Sequence, residues 1–284
     1  MLKKAYFEIT NVCNLNCSFC PKTKRQKRFV SLDEFRAVAE KLQGRIEYLY
    51  LHLMGEPTIH PELAGILKIA GELGFKVIIT TNGTTLEDKG SILLDSDAVY
   101  KVSISVHSFE ANERKDMDGY LDSCFDFAKA CAEKGKICVM RLWNLDGENT
   151  VGANSNNPEI LERMRQYFGN DWADTRSGKR IADRTFLEYG EKFEWPNPMG
   201  TDISAEDCFC HGLRDQIGIL CDGTVVPCCL DSEGTIALGN IFDSSFDEIV
   251  NSARAVDFYD SFTKRKSPHK LCSNCGYAKR FAKK

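Results

Sequence analysis

The sequence predicts an α/β fold: a partial (β/α)6, TIM-like barrel followed by a small C-terminal β-hairpin plus helix. Strand-like and helix-like segments alternate through the first half of the chain. Cysteines and polar residues follow the points where predicted strands end, and a hairpin signature lies in the last quarter. Alternating strands and helices imply parallel strands joined by crossover helices. Functional side chains of such barrels lie in loops at the carboxyl ends of the strands.

The predicted barrel strands are apolar or aromatic runs bounded by turn residues. They cover Ala5–Thr10, Ile46–Met54, Lys76–Thr80, Ala98–Val106 and Ile137–Trp143, with Thr185–Trp195 as a candidate sixth strand. The first predicted helix begins at Ser31, a plausible N-cap with Glu34 at the capping-box position. Further predicted helices are Pro61–Leu73, Tyr120–Lys134 and Pro158–Phe168.

The stretch Asn144–Glu206 is less regular and rich in glycine and asparagine near its start. Such a composition predicts a long loop. Two interpretations stay open: the loop covers the mouth of the barrel, or it is a surface excursion.

The C-terminal part reads as a hairpin and a helix. Gln216–Cys221 and Thr224–Cys228 are predicted strands joined by an Asp-Gly turn. A helix is expected near Ser245–Ala255. We therefore divide the chain into a barrel domain, residues 1–207, and a smaller domain, residues 208–284.

Composition limits the possible functions. Hydrophobic residues make up 43% of the 284 residues and charged residues 27%, as in ordinary soluble domains. No apolar run is long enough to span a membrane, and no secretory signal precedes the first cysteine. The formal net charge of −4 does not suggest nucleic-acid binding. We expect a cytoplasmic protein without membrane or nucleic-acid partners, in which thirteen clustered cysteines indicate metal binding more than disulfides.

The most informative motif is a cysteine loop after the first predicted strand. Cys13, Cys17 and Cys20 are separated by three and two residues. Thiolates that converge from one short loop suit an iron–sulfur cluster. Three protein ligands on a four-iron cluster leave one iron open, which is the mark of a catalytic metal site. A zinc knuckle or a set of buried thiols is the alternative.

This spacing and its context resemble the radical S-adenosylmethionine (SAM) superfamily. The resemblance implies that SAM binds the open iron of a [4Fe–4S] cluster. It also implies reductive cleavage of SAM to a 5'-deoxyadenosyl radical, which abstracts a hydrogen atom from a substrate C–H bond. An electron donor such as flavodoxin or ferredoxin would supply the reducing electron.

The resemblance also implies SAM-binding residues downstream of the cysteine loop. Gly55 and Glu56 resemble the glycine–glutamate motif that engages the SAM amino group, although Met54 replaces a glycine found in many relatives. Asn82 is expected to bond the SAM carboxylate or ribose. Phe19 resembles the aromatic residue that packs near adenine.

Two later strands supply further candidates. Ser105 resembles a ribose-contacting position, for which Ser103 and His107 are competitors. Arg141 is expected to pair with the SAM carboxylate through a charge-assisted bond.

A second set of cysteines lies in the C-terminal part. Cys210, Cys228, Cys272 and Cys275 are separated by 17, 43 and two residues. The pattern resembles the front half of a SPASM extension and the shorter twitch extension, which holds one auxiliary [4Fe–4S] cluster. Its ligand spacing is similar to that of an aminoglycoside-biosynthesis dehydrogenase that oxidises 2-deoxy-scyllo-inosamine. A four-cysteine zinc site is the alternative, and Cys208 is the rival of Cys210.

Cys229 and Asp231 are the candidate catalytic residues beside this set. Sulfatase-maturing relatives carry an aspartate base directly after the equivalent ligand, where this chain has Cys229. A thiol can donate a hydrogen atom to a carbon radical, as in peptide epimerases, and a small buried thiol is the alternative. Asp231 is a second candidate base, for which surface placement is the alternative.

These features predict a radical SAM enzyme that dehydrogenates a small alcohol or amino-sugar, with the auxiliary cluster used for electron transfer. One alternative is oxidation, cross-linking or epimerisation of a ribosomally made peptide. Because twelve residues precede Cys13, we expect no leader-peptide-binding domain there. This expectation slightly disfavours a peptide substrate, unless a separate protein supplies recognition. A non-catalytic iron–sulfur or zinc-binding protein is the third possibility.

Overall fold

A computed structural model describes residues 2–111, 116–145, 155–199 and 208–281. Within these ranges, eleven strands form one sheet. The strands are β1 (Lys4–Phe7), β2 (Tyr48–Tyr50), β3 (Lys76–Thr81), β4 (Val99–Ile104), β5 (Ile137–Leu145), β6 (Ala173–Thr175), β7 (Gly178–Ala182), β8 (Thr185–Glu191), β9 (Gln216–Ile219), β10 (Thr224–Val226) and β11 (Gly239–Asn240). The α-helices are α1 (Leu32–Leu42), α2 (Leu63–Glu72), α3 (Leu86–Leu94), α4 (Met117–Glu133), α5 (Asn157–Phe168), α6 (Phe246–Val250), α7 (Ala253–Thr263) and α8 (Lys270–Ser273). Short 3-10 helices span Pro57–Ile59, Val106–Ala111 and Ala278–Phe281.

Six parallel strands form the predicted partial barrel. Strands β1 to β5 pair in chain order, and β8 pairs with β5. The barrel is not closed, because β1 pairs with β9 on its other side. The six barrel strands predicted from the sequence are confirmed, with ends that differ by several residues.

Alternation along β1 separates the two faces of the sheet. Ala5 and Phe7 are fully buried on the helix side, where the Phe7 ring stacks on Phe35 of α1 at 5.4 Å. Tyr6 lies on the opposite face, which is the barrel interior, and its ring stacks on Tyr50 of β2 at 4.4 Å. Because successive side chains of a strand point to opposite faces, every second residue of each barrel strand lines this interior.

Local signals explain where α1 begins. The Ser31 side chain accepts a bond from the Glu34 amide, and the Glu34 carboxylate accepts one from the Ser31 amide. The predicted capping box is therefore confirmed. This arrangement satisfies two backbone donors that have no partner within the helix.

The prediction of one helix over Ser245–Ala255 is wrong. The structure has two helices, and Ser245 and Ser252 each cap a separate N-terminus. The second serine accepts a bond from the Ala255 amide and so restarts the chain in a new direction. Helix α3 and the β6–β7 hairpin were not predicted. The predicted loop at Asn144–Glu206 lies partly outside the described residues, at 146–154 and 200–207.

The C-terminal segment continues the barrel sheet. Strand β9 pairs in parallel with β1, and β10 returns antiparallel to β9 across the predicted Asp-Gly turn. Gly223 of that turn has φ of +85°, and a Cβ there would lie 2.4 Å from the Phe242 ring. This hairpin therefore places the cysteines after β10 beside the first barrel strand. In the described part of the chain, no helix is both long and apolar enough to span a bilayer.

Candidate active site

The cysteine loop leaves the carboxyl end of β1, as the barrel predicts. Cys17 is buried, Cys20 is half-buried and Cys13 is exposed. The Cys20 amide donates to the Cys17 carbonyl at 3.3 Å, and the Lys22 ammonium donates to the Cys20 carbonyl at 3.1 Å. Burial, followed by the charges of Cys13 and Cys20, raises the pKa of Cys17 to about 12. Neighbouring thiols that repel one another when ionised fit a positively charged iron cluster, since the metal ligand is the thiolate.

Gly55 packs directly against this loop. Its φ is +78°, and a Cβ at this position would lie 2.4 Å from the Thr10 carbonyl oxygen and 2.8 Å from that of Val12. The next amide, that of Glu56, donates to the Val12 carbonyl at 2.8 Å. Only glycine allows this close approach with a left-handed backbone. The Gly-Glu-Pro segment therefore fixes the start of the cysteine loop.

The Glu56 carboxylate is buried between two loops. It accepts bonds from the Thr58 amide at 3.1 Å, the Thr58 hydroxyl at 2.6 Å and the Asn82 amide at 2.7 Å. Burial raises the pKa of this carboxyl, and these donors act against the increase. Glu56 thus joins the loops after β2 and β3. Its contact with the SAM amino group stays a prediction.

Asn82 is also held by neighbours at the carboxyl end of the sheet. Its side-chain amide donates to Asn14 of the cysteine loop at 2.9 Å and accepts from the Thr84 hydroxyl at 2.7 Å. The Ser105 amide donates to the Thr81 carbonyl at 2.8 Å, which sets Ser105 beside the end of β3. Asn82 and Ser105 therefore lie at the rim where the cysteine loop begins. Their contacts with SAM remain predictions.

Phe19 packs on His107, with ring centroids 4.8 Å apart. The His107 Nδ1 atom lies 2.9 Å from the Arg141 carbonyl oxygen. Burial lowers the pKa of His107 to about 4, so this ring is neutral at pH 7. The indole nitrogen of Trp195 donates to the Phe19 carbonyl at 2.9 Å. His107 therefore supports the aromatic residue predicted to lie near adenine.

The Arg141 side chain enters the barrel interior. Its guanidinium lies 4.4 Å from the Trp143 ring centroid, and Nη1 donates to the Thr80 hydroxyl at 3.2 Å. The Nε atom lies 3.5 Å from a carboxylate oxygen of Glu188 on β8. Arg141 is thus held on one side of the interior, and its pairing with the SAM carboxylate stays a prediction.

The second cysteine set lines one cavity of about 160 Å³ between the barrel and the C-terminal domain. The cysteines of its lining are Cys210, Cys228, Cys229, Cys272 and Cys275. Burial raises the pKa of Cys228 well above its ordinary value, and the charges of Cys229, Cys272 and Cys210 raise it further. Five thiols that share one cavity and repel one another when ionised fit a cluster that is ligated by four of them.

Cys208 lies beside this cavity, and its amide donates to the Arg265 carbonyl at 2.9 Å. The lining of the cavity includes Cys210 and not Cys208. The assignment of Cys210 as the fourth ligand stays a prediction. Among the described residues, no three His, Cys, Asp or Glu side chains are placed to hold a single metal ion. A zinc ion would need thiolates about 2.3 Å from one point. A four-iron cluster takes one thiolate per iron, so its ligands stand further apart.

Cys229 and Asp231 have different surroundings. The Cys229 thiol lies in the cavity wall, which Tyr6 also lines. The Asp231 carboxylate accepts bonds from the Thr235 amide at 2.9 Å and the Ile236 amide at 2.7 Å. Asp231 is buried in this turn and does not lie on the surface. Cys229 thus faces the barrel, and Asp231 stabilises a turn. The roles of Cys229 as hydrogen-atom donor and of Asp231 as base stay predictions.

A buried ion pair that sequence reasoning missed joins the two domains. Both carboxylate oxygens of Glu8 accept from Arg25 Nη2, at 2.7 and 2.8 Å. The same carboxylate accepts from the Met54 amide at 3.1 Å and the Cys221 amide at 3.2 Å. Arg25 Nε donates to the Ser232 carbonyl at 2.8 Å. The only local signal is a charged residue at an interior-facing position of an otherwise apolar strand.

Comparison with known proteins identifies the class defined by this fold and site. Residues 7–151 match the model of the radical SAM superfamily. Residues 208–276 match SPASM, described as an iron–sulfur cluster-binding domain. The chain therefore belongs to the radical SAM superfamily and is an enzyme of that type. Its cofactors are SAM and the [4Fe–4S] cluster that binds SAM. The SPASM domain adds auxiliary iron–sulfur cluster binding. The predicted family and fold are confirmed, and the non-catalytic alternative is set aside.

Individual relatives are more distant. The chain is 25% identical to the antilisterial bacteriocin subtilosin biosynthesis protein AlbA of Bacillus subtilis, over 96% of this chain and 65% of AlbA. It is 34% identical to the tungsten-containing aldehyde ferredoxin oxidoreductase cofactor-modifying protein of Pyrococcus furiosus, over 31% of this chain and 26% of that protein. The chain thus spans less than two thirds of the length of these relatives.

Solved structures share the fold at low sequence identity. BtrN in complex with AdoMet and 2-DOIA has a TM-score of 0.60 at 16% identity, covering 97% of this chain and 93% of BtrN. The AdoMet-bound anSMEcpe has a TM-score of 0.62 at 14% identity, covering 100% and 91%. Streptococcus suis SuiB bound to precursor peptide SuiA has a TM-score of 0.59 at 14% identity, covering 96% and 71%. These similarities show the fold.

Proposed function

We propose that the enzyme abstracts a hydrogen atom from a small alcohol or amino-sugar in the barrel interior and oxidises it. The observation that carries this proposal is the shared cavity. Its wall includes the auxiliary cysteines together with Lys4, Tyr6 and Trp143 of the barrel. A substrate on the interior face is thus separated from the auxiliary site only by the side chains that line this cavity.

When bound, the SAM cluster would supply the 5'-deoxyadenosyl radical, and the auxiliary cluster would supply an acceptor for the electron that the oxidised substrate loses. Cys13, Cys17 and Cys20 would hold the first group, and Cys210, Cys228, Cys272 and Cys275 would hold the second. An electron donor such as flavodoxin or ferredoxin delivers the reducing electron. The protein contributes binding, orientation and the exclusion of water.

Oxidation of an alcohol also releases the hydroxyl proton. Glu188 is the carboxylate that faces the interior beside Arg141, with 3.5 Å between Oε2 and Nε. Both Asp231 oxygens are already used by backbone amides. We therefore assign the proton to Glu188: one hydrogen atom leaves carbon, one proton leaves oxygen, and one electron leaves the substrate.

Isotope transfer tests this proposal. Reconstituted enzyme is incubated with SAM, reductant and a panel of carbon-deuterated polyols and amino-sugars. With a true substrate, deuterium from the labelled carbon should appear in 5'-deoxyadenosine. The product should contain two hydrogens fewer than the substrate, one lost from carbon and one from oxygen. Cys17→Ala should abolish SAM cleavage, whereas Cys228→Ala should retain cleavage and lose the oxidised product. Full product formation by Cys228→Ala would contradict the role of the auxiliary site.

Peptide modification is the second candidate function. Two observations favour it: the alignment to AlbA runs along 96% of this chain, and Cys229 faces the barrel beside Tyr6. Hydrogen return from an exchangeable thiol in D2O would add one deuterium to a peptide, whereas oxidation would remove two hydrogens. Mass spectrometry of candidate peptides after turnover in D2O separates these outcomes. A Cys229→Ala variant that still incorporates deuterium would exclude Cys229 as the donor.

A further inference from the structure

The barrel interior has three levels that follow from the strand register. The first level consists of register partners on neighbouring strands. Tyr6 of β1 pairs with Tyr50 of β2, Tyr50 pairs with Ile78 of β3, and Ile78 pairs with Lys101 of β4. Two residues along each strand, His52, Thr80 and Ser103 occupy the next level. Arg141 and Glu188, which are register partners on β5 and β8, lie above them. Polar side chains from these strands thus face one another across the interior.

Positive charge exceeds negative charge at this site. Lys101 is half-buried, and the charges that act on it are those of Arg141, Glu188 and Lys4. Glu8, on the same face, is already paired with Arg25. One carboxylate, Glu188, therefore faces three cations on the described part of this surface.

Like charges that act on one another in a partly buried site cost free energy of folding. Burial first, and then the charge of Arg141, lowers the pKa of Lys101, so the protein disfavours the ammonium that it places here. An anionic ligand would reverse this repulsion. A cluster of cations without enough carboxylates is thus better suited to bind a ligand than to stabilise the fold.

Two polar atoms of the same region are buried and have no hydrogen-bond partner in the described residues: His52 Nδ1 and Ser103 Oγ. Ser103 is 0% exposed. Leaving a buried polar atom without a partner costs free energy that a bound ligand would restore. Burial lowers the pKa of His52 to about 3, so this ring is neutral and can donate from one nitrogen.

We propose that the interior holds an oxyanion of the substrate, a carboxylate or a phosphoryl group, between Lys101 and Arg141 with Ser103 and His52 as hydrogen-bond donors. This inference rests on the proposed function in that it places the substrate on the interior face, and it assigns Arg141 to the substrate in place of the predicted pairing with the SAM carboxylate. It restricts the substrate class to alcohols, amino-sugars or peptides that carry an acidic group. Glu188 lowers the affinity for this oxyanion, because its carboxylate competes with the oxyanion for the Arg141 guanidinium.

The test uses reconstituted enzyme with saturating SAM and no reductant, so that the carboxylate of SAM is already bound. Inorganic phosphate and acetate are titrated separately at constant ionic strength, with chloride as the reference anion. Thermal unfolding is the readout, because a ligand that binds only the folded state raises Tm with its concentration. We expect a saturable rise with at least one probe.

Three variants test whether anion affinity changes in the direction that the proposal predicts. Lys101→Gln should weaken the apparent affinity about tenfold or more, since it removes a charged donor. Glu188→Gln should strengthen the affinity, since it removes the competing carboxylate. Lys129→Gln changes an exposed lysine of α4 and should match the wild type. A structural role would not move the first two variants in opposite directions.

A response to phosphate alone assigns a phosphoryl group, and a response to acetate alone assigns a carboxylate. No saturable response to either probe, or an undiminished response in Lys101→Gln, overturns the proposal. Deuterium transfer is measured on the same preparations. Anion binding without deuterium transfer from any substrate would contradict the proposed function only, and oxidation without an anion response would contradict the oxyanion site only.

Discussion

The Glu56 carboxylate accepts a hydrogen bond from the Asn82 backbone amide at 2.7 Å, so a buried acid joins the loops that follow β2 and β3. Asn82 in turn donates to Asn14 in the cysteine loop at 2.9 Å. Three loops at the carboxyl end of the sheet are therefore held in one arrangement. This arrangement brings together residues that are predicted to contact SAM.

Replacing Glu56 should affect both stability and SAM binding. Glu56→Ala leaves the Asn82 amide and the Thr58 hydroxyl without their acceptor, and should lower the free energy of unfolding by about 2–4 kcal/mol. Glu56→Gln keeps one acceptor oxygen and should cost less. Urea unfolding measures this difference. A direct contact with the SAM amino group further predicts that Glu56→Gln weakens SAM binding at least about tenfold, and unchanged SAM affinity would contradict that contact.

Gly55 should be far less tolerant of alanine than Gly74, although both have nearly the same φ, +78° and +79°. A Cβ at Gly74 meets nothing within 4 Å, whereas at Gly55 it would lie 2.4 Å from a backbone oxygen. We expect Gly74→Ala to cost about 1–2 kcal/mol from the backbone alone. Gly55→Ala should cost about 3–5 kcal/mol and reduce the iron retained by the cysteine loop. Equal losses in the two variants would show that the loop does not pack against Gly55 as described.

Breaking the buried pair of Glu8 and Arg25 should destabilise the junction of the two domains. Arg25→Ala leaves the Glu8 carboxylate buried without its cation, and should cost about 3–5 kcal/mol. Arg45→Ala is the matched control, since its pair with Asp247 is exposed and such pairs contribute little. Chemical unfolding of both variants tests this expectation. A loss in Arg25→Ala no larger than in Arg45→Ala would contradict the role of the pair.

Lys101 should make the stability depend on pH in a defined direction. Its pKa is lowered in the folded state, so the unfolded chain binds the proton more tightly and the penalty is full below the folded pKa. The penalty decreases as pH rises through that folded pKa, and it disappears above the ordinary lysine pKa of about 10.4. Lys101→Gln should therefore raise Tm at pH 7, with a smaller gain at pH 10. A lower Tm for the variant at pH 7 would show that Lys101 stabilises the fold.

The sequence predicted those features that depend on local patterns. The order of strands, the capping box at Ser31 and Glu34, and the cysteine loop after β1 all follow from spacing within short segments. The division of the last helices at Ser252 was missed, because an apolar pattern that continues across a second N-cap resembles one helix. Local patterns identify elements better than they identify the breaks between them.

The interior of the barrel could not be predicted in the same way. Tyr6 and Cys229 are more than two hundred residues apart in the chain and meet only because β9 pairs with β1. The proximity of Lys101 to Glu188 likewise depends on the curvature of the sheet. Each residue taken alone is a common strand residue, and its role appears only when the strands are assembled.

The iron, sulfide and zinc content per chain after anaerobic reconstitution tests the central claim most directly. About eight irons and eight sulfides are expected, which correspond to two four-iron clusters. Cys17→Ala and Cys210→Ala should each retain about four irons, and Cys208→Ala should retain all eight. The Cys17 variant alone should lose SAM cleavage. About four irons with one zinc, or full iron content in Cys210→Ala, would contradict the auxiliary site described for this enzyme.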